Sequence, residues 1–197
     1  MTTSIPTVRE PSSAAELGAE LRRLHEESTA FWSRFTPAEF FVPLGEAWSP
    51  ADNVRHLVKS CRPVARALGL PKLMLVIPGR GISLRRSRSY AEMRDTYRAR
   101  LATGEVQAGR FAPRPEPLTG DPEVARESLM ATRQAVAERL HAAVAGWGER
   151  SLDRFRLPHP ALGQLTVREM LFFTLYHNLH HVLNVAARKG WRDGAER

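Results

Sequence analysis

Apolar residues recur at helical spacing along four long stretches, and the polar residues between them mark where each begins and ends. The first covers about Ser12 to Phe35, where Leu17, Leu21, Leu24, Ser28, Phe31 and Phe35 stand three or four apart and form one stripe. The Thr36-Pro37 step predicts its end, because proline disfavours helix in the residue before it. The second opens on Ser49-Pro50-Ala51-Asp52, which offers a serine N-cap, a proline at the first helical position and an acid that completes a capping-box-like pair. It carries Val54, His56, Leu57, Val58, Cys61, Val64, Ala65 and Leu68, and should stop near Gly69-Leu70-Pro71. The third starts at Asp121-Pro122-Glu123 and keeps its period through Ala125, Leu129, Thr132, Val136, Leu140, Ala143 and Trp147, with Gly146 and Gly148 interrupting it. The fourth starts at the capping box Thr166-Val167-Arg168-Glu169 and runs to about Arg188, where Gly190 is the expected stop.

The rest of the chain connects these helices. Residues 1–11 read as a flexible tail. Residues 71–121 form an irregular, arginine-rich connection with one shorter helix, announced by the capping box Ser89-Tyr90-Ala91-Glu92 and continued by Met93, Tyr97 and Leu101. Pro113, Pro115 and Pro117 make Phe111 to Gly120 an extended linker. Ser151 to Gly163 reads as loop, with a short extended piece at Phe155-Arg156-Leu157. Four long helices and almost no strand pattern predict a single all-α domain over residues 1–197, a four-helix bundle.

Composition narrows the setting. The chain has 197 residues, 43% hydrophobic and 25% charged, enough for one real core. No apolar run reaches the roughly 18 residues of a membrane span, and the N-terminus lacks the basic start and apolar stretch of a signal peptide. Cys61 is the only cysteine, which excludes an intrachain disulfide and a cysteine-based zinc site and fits a reducing, cytoplasmic compartment. The formal net charge of +8 permits anionic partners. Lysine occurs only at 59, 72 and 189, so the basic residues are nearly all arginine, a skew that codon bias alone can produce.

The candidate chemistry lies in Tyr176-His177-Asn178-Leu179-His180-His181, three histidines in five positions of the fourth helix. Residues four apart lie on one face, about 6 Å apart along the axis. At about 100° per residue, His181, Asn184 and His180 project within about 60° of His177. His177 and His181 can thus aim imidazoles at a common point, and neutral imidazole ligates zinc, nickel, copper or iron. A third ligand must come from elsewhere, and His56, amid Val54, Leu57 and Val58 on the second helix, is the best candidate. Asp52, Asn53 and Lys59 stand at spacings that could orient it. Three histidines leave a coordination position open, as catalytic metals require. By spacing alone, a His-x-x-x-His pair is more often a packing or surface arrangement, and one histidine on an apolar face is commonly a core residue.

The Trp48-Ser49-Pro50-Ala51-Asp52-Asn53-Val54-Arg55-His56-Leu57 segment resembles the entry to the second helix of the DinB/YfiT-like superfamily. His159-Pro160-Ala161-Leu162-Gly163-Gln164-Leu165-Thr166, followed by His177-x-x-His180-His181, is similar to the approach to that family's histidine-bearing fourth helix. The resemblance implies an up-down-down-up four-helix bundle and a divalent metal, zinc or nickel in first place, held by His56, His177 and His181. It further implies a metal-dependent transferase acting with a low-molecular-weight thiol, or a hydrolase, on a small molecule, and a homodimer. Many members carry glutamine where this chain has Asn184, and Arg80 to Arg110 has no match in the family pattern.

The remaining polar residues have plainer readings. No acid sits within the histidine motifs as a general base, and Glu169 and Asp52 read as helix caps. His180 serves either as a proton shuttle or donor beside the ligands, or in packing, and Asn184 shares its face. Tyr176 reads as core, Cys61 as a buried inert thiol, His159 as structural, and His25 and His141 as surface residues. Two other functions stay open. Arg80, Arg85, Arg86, Arg88, Arg94, Arg98 and Arg100, with Tyr90 and Tyr97 between them, could bind anions or nucleic acid, although the tyrosines also fit one packed helix face. Alternatively, a metal could brace the bundle without catalysis.

Overall fold

The computed structural model describes residues 4–76, 81–104, 107–114 and 118–191. The four long helices are α1 (Ala14–Trp32), α3 (Pro50–Leu68), α5 (Pro122–Val144) and α7 (Val167–Arg188). Three shorter ones, α2 (Pro37–Phe40), α4 (Tyr90–Ala102) and α6 (Glu149–Arg154), lie in the connections. The side chains of Ser13, Ser49, Ser89, Asp121 and Thr166 each accept a backbone N–H of the first helical turn, so the caps predicted at residues 49, 89, 121 and 166 set those boundaries.

Side-chain contacts give the helix directions. Ser28 and Thr29 of α1 meet Arg133 of α5, and Phe35 beyond the end of α1 meets Arg126 near the start of α5, so these helices are antiparallel. Trp147, just past the end of α5, donates its indole N–H to the Leu68 carbonyl at the end of α3, so α3 and α5 are parallel. Asn53 meets His181 and His56 meets His177, so α3 and α7 are antiparallel. Trp191, past the end of α7, packs on Phe31 and Phe35 at the end of α1. The order is up, down, down, up. Parallel α3 and α5 cannot be joined by a short turn, which is why the long connection exists.

Two apolar clusters fill the bundle. One joins α1 and α3 to α4, α7 and a small hairpin through Leu17, Leu24, Met93, Leu165, Leu171 and Leu175. The other gathers Phe31, Trp32, Phe35, Phe40, Val54 and Val182 at the opposite end. Helix α7 buries residues around much of its circumference, as a central helix must. No helix among the described residues is long and apolar enough to cross a membrane.

The long connection is tied down by charge. Glu169 at the start of α7 is fully buried and accepts from both terminal nitrogens of Arg85, from Nε and the backbone N–H of Arg88, and from the Thr166 N–H. Burial alone would raise its carboxyl, but the arginines and backbone donors outweigh this and hold it down at about 2. Part of the basic run is therefore committed within the fold: Arg85 and Arg88 serve Glu169, and Arg94 pairs with Asp95. Arg80 lies outside the described residues, as do Pro115 and Pro117.

Several expectations change. The first helix ends at Trp32, and Thr36-Pro37 does more than end it: Thr36 caps a new helix by a full capping box with Glu39. The stretch read as a flexible tail is packed where described, with Pro6 and Pro11 buried and the Arg9 N–H donated to the buried Glu20 carboxylate. The loop after α5 contains α6 and an antiparallel hairpin, β1 (Arg156–His159) with β2 (Gly163–Thr166), which extends the strand piece foreseen at 155–157. Gly163 turns that hairpin at φ +71°, a region open to glycine without strain.

Candidate metal centre

The four-residue spacing on α7 places His177 and His181 side by side, and α3 lays His56 across them. Nε2 of His177 stands 3.0 Å from Nε2 of His56 and 3.2 Å from Nε2 of His181. The ligand atoms of all three lie within 4.8 Å of one another, and all three side chains are buried.

The outer nitrogens decide the tautomers. His56 Nδ1 is 2.9 Å from the Phe111 carbonyl, which only accepts, so the proton of a neutral ring is on Nδ1 and Nε2 is a bare lone pair. His181 Nδ1 is 2.7 Å from Asn53 Oδ1. The Asn53 amide cannot turn over, because its Nδ2 donates to the Ser49 carbonyl at 2.9 Å. His181 therefore also donates through Nδ1 and presents a bare Nε2. Burial is the largest cause holding all three imidazoles below the ordinary histidine range, and for His177 and His181 the neighbouring histidines add to it. The rings are neutral, the state a metal requires.

A divalent ion fits this donor set. Two nitrogens on one tetrahedral zinc, each bonded at about 2.0–2.1 Å, stand about 3.3–3.4 Å apart. The 3.0 and 3.2 Å separations lie a few tenths of an ångström inside that. Without a cation, the Nε2–H tautomer of His177 can donate to one of the two bare Nε2 atoms, which leaves the other lone pair facing it without a donor of its own. Aromatic neighbours fix the rings: Trp48 stacks on His181 at an interplanar angle of 2° and lies 5.1 Å from His56, and Phe173 stacks on His177 at 5.0 Å.

The three histidines form part of the wall of a cavity of about 620 Å³. Val64, Leu101, Phe111, Met170 and Phe173 give it an apolar side, while Tyr97, His159, His180, Arg66 and Arg110 bring polar atoms. No aspartate or glutamate lines it among the described residues. His159, read as structural, braces the hairpin turn and also lines the cavity. Its Nδ1 accepts from the N–H groups of Ala161 and Leu162, so Nε2 carries the proton, and burial pushes the ring down to about 4 and keeps it neutral.

The structure brings His56, His177 and His181 together. Asn53, expected to orient His56, serves His181 instead. Asn184 does not reach the cluster: it is exposed and pairs with His180, Nδ2 to Nε2 at 3.0 Å. His180 lies against Tyr176 and at the cavity wall, away from the outer nitrogens of the ligands. Lys59 donates to the Ala112 carbonyl, next to the Phe111 carbonyl that orients His56. Asp52 is taken by Ser49 and Arg55. His25, expected at the surface, is buried against Gln134. The Phe111 carbonyl had no signal in the sequence, since any residue offers one.

Asn53→Ala should weaken metal affinity about 10–100-fold while leaving all three ligands in place, because His181 loses the partner that sets its tautomer. Competition against a chromophoric chelator measures this. An unchanged affinity would show that Asn53 does not orient the ring.

Comparison with known proteins gives three findings. A search of curated proteins finds no match. Two solved structures share the fold at a TM-score of 0.50. One is TT2238, described as a four-helix bundle protein, at 20% identity, covering 88% of this chain and 96% of its own. The other is YfiT from Bacillus subtilis, described as a probable metal-dependent hydrolase with an unusual four-helix bundle topology, at 18% identity, covering 97% and 99%. The family model of the DinB superfamily matches residues 20–184, which include every element from α2 to β2, all three clustered histidines and most of α1 and α7. The chain belongs to the DinB superfamily.

Proposed function

We propose that His56, His177 and His181 hold a divalent metal, zinc or nickel first, and that the protein is a metal-dependent enzyme transferring a group between a low-molecular-weight thiol and an apolar small molecule. The observation that carries this reading is the convergence of three Nε2 atoms, two with forced lone pairs, in the wall of a large cavity. A bound divalent ion would supply Lewis acidity, lowering the pKa of a thiol or water brought to it.

The chain's own residues account for the rest. Asn53 and the Phe111 carbonyl hold two ligand rings in their metal-ready tautomers. The apolar wall receives the carbon skeleton of the substrate and excludes water. Arg66 and Arg110, both exposed, suit the carboxylates that small thiols carry. The absence of a carboxylate base among the described lining residues favours a nucleophile that the metal itself acidifies. Hydrolysis is the second reading, supported by the description of YfiT and by the neutral imidazoles of His159 and His180 in the cavity wall.

Elemental analysis of protein purified without added metal, followed by cobalt substitution, tests the proposal. Wild-type protein should hold about one ion per chain. Adding cysteine to the cobalt form should produce a thiolate-to-cobalt absorption band that the His56→Ala protein lacks. Protein that retains no divalent ion after dialysis and takes none up on reconstitution overturns the metal. A bound ion that no thiol or small anion reaches would make it a brace for the bundle.

A further inference from the structure

A second, much smaller cavity lies on the other side of His177, between α1, α3, α5 and α7. Its volume is about 50 Å³, and Arg133, His25, Cys61, Ser60 and Asn178 contribute its polar lining. One water needs about 10–15 Å³ of such free space, so the cavity takes roughly three or four water-sized bodies and no metabolite.

Arg133 makes this cavity unusual. It sits in the bundle interior at 5% exposure, and no carboxylate among the described residues pairs with it. Its two protein acceptors are neutral hydroxyls, Thr29 Oγ1 for one terminal nitrogen and Ser28 Oγ for the other. Both hydroxyls direct their own protons to backbone carbonyls, Ser28 to Leu24 at 2.6 Å and Thr29 to His25 at 2.7 Å, so their lone pairs face the guanidinium and hold it still. A guanidinium has five N–H donors, of which these contacts use two. Burying such a charge without a counter-charge is strongly unfavourable. Its nearest candidate, Cys61, does not supply one, because burial pushes that thiol up to about 12 and keeps it protonated.

Asn178 supplies the second observation. Its Oδ1 is buried in the cavity lining with no hydrogen-bond partner. A half-turn of the amide would instead present an NH₂ group there, adding donors beside the unused ones of Arg133.

We propose that this cavity is a binding site for one small monovalent anion of the halide class, held by Arg133 and by the amide of Asn178. The anion supplies the charge the bundle interior lacks, and the cavity volume restricts it to a monatomic ion with at most a few waters. The site shares His177 with the metal centre but needs no metal to form.

Thermal unfolding of the full chain at constant ionic strength tests this, with sodium chloride or sodium bromide replacing sodium gluconate. The wild-type midpoint should rise with the logarithm of halide concentration above half-saturation, by about 3–6 °C at ten times the half-saturating concentration. Arg133→Met, close in length and uncharged, should abolish the rise. Crystals of the wild-type protein grown in bromide give an independent reading, an anomalous peak beside the Arg133 guanidinium, which holds whether or not the variant folds. Equal midpoints in halide and gluconate, an undiminished halide response in Arg133→Met, or a cavity holding water alone in bromide crystals would each overturn the proposal.

Discussion

Replacing His177 with alanine is expected to abolish stoichiometric metal binding, lowering affinity by more than about 100-fold, the upper end of what losing a mere supporting partner costs. His177 is the residue to choose because its Nε2 is the common neighbour of the other two, at 3.0 and 3.2 Å. Without it, His56 and His181 remain as a pair with no third nitrogen between them. The apo fold should survive, since the ring removed is neutral and lines cavities on both sides. The measurement is the thermal midpoint with and without added zinc. Wild-type protein gains stability as the logarithm of metal concentration over the dissociation constant, and the variant should give a flat line. A variant that still binds one ion tightly would mean that His177 is not a ligand.

The second large effect is on stability. Glu169→Ala should destabilise the fold by about 3 kcal/mol, the lower end of the range for breaking a buried ion pair, because Arg85 remains half-exposed and regains water. The variant strands Arg88 and removes an acceptor from the Thr166 N–H at the start of α7. Glu169→Gln, which keeps the shape and an acceptor, should cost less. The same carboxyl gives an acid signature. Its folded pKa of about 2 lies below the ordinary 4.5, so the unfolded chain binds the proton more readily. Its contribution is complete above pH 4.5 and is lost as pH falls from there toward 2. Denaturant unfolding of wild type should thus lose on the order of 2–3 kcal/mol over that window, and Glu169→Ala should lose correspondingly less. Equal acid slopes in the two proteins would show that Glu169 is not the titrating group.

Much of this structure is legible in the sequence because helices announce themselves locally. Ser49-Pro50 and the boxes at Ser89 and Thr166 predict starts that the caps realise, since a side-chain oxygen three residues before a free N–H needs no tertiary help. Periodicity puts His177 and His181 on one face for the same reason. Asn184 shows where that reasoning ends. It projects close to His177 around the axis but lies about two turns further along, at the exposed end of the face, and angle alone ignores that translation. The packed segment at residues 5–11 was also hidden, because its burial comes from partners distant in sequence, such as Glu20. His25 sits in a polar stretch that looks solvated, and only α5, which brings Gln134 and Arg133 to it, makes it buried.

The pairing of parallel α3 and α5 has a consequence for how the candidate centre is assembled. His181 takes its orientation from Asn53, a contact made as soon as the two helices meet. His56 takes its orientation from Phe111, which belongs to the long traverse that parallel neighbours require. One half of the centre is thus complete when the helices associate, and the other half waits for the traverse to dock. If the three histidines hold an ion as proposed, substitutions along that traverse are expected to change how tightly it is held without altering any residue that touches it.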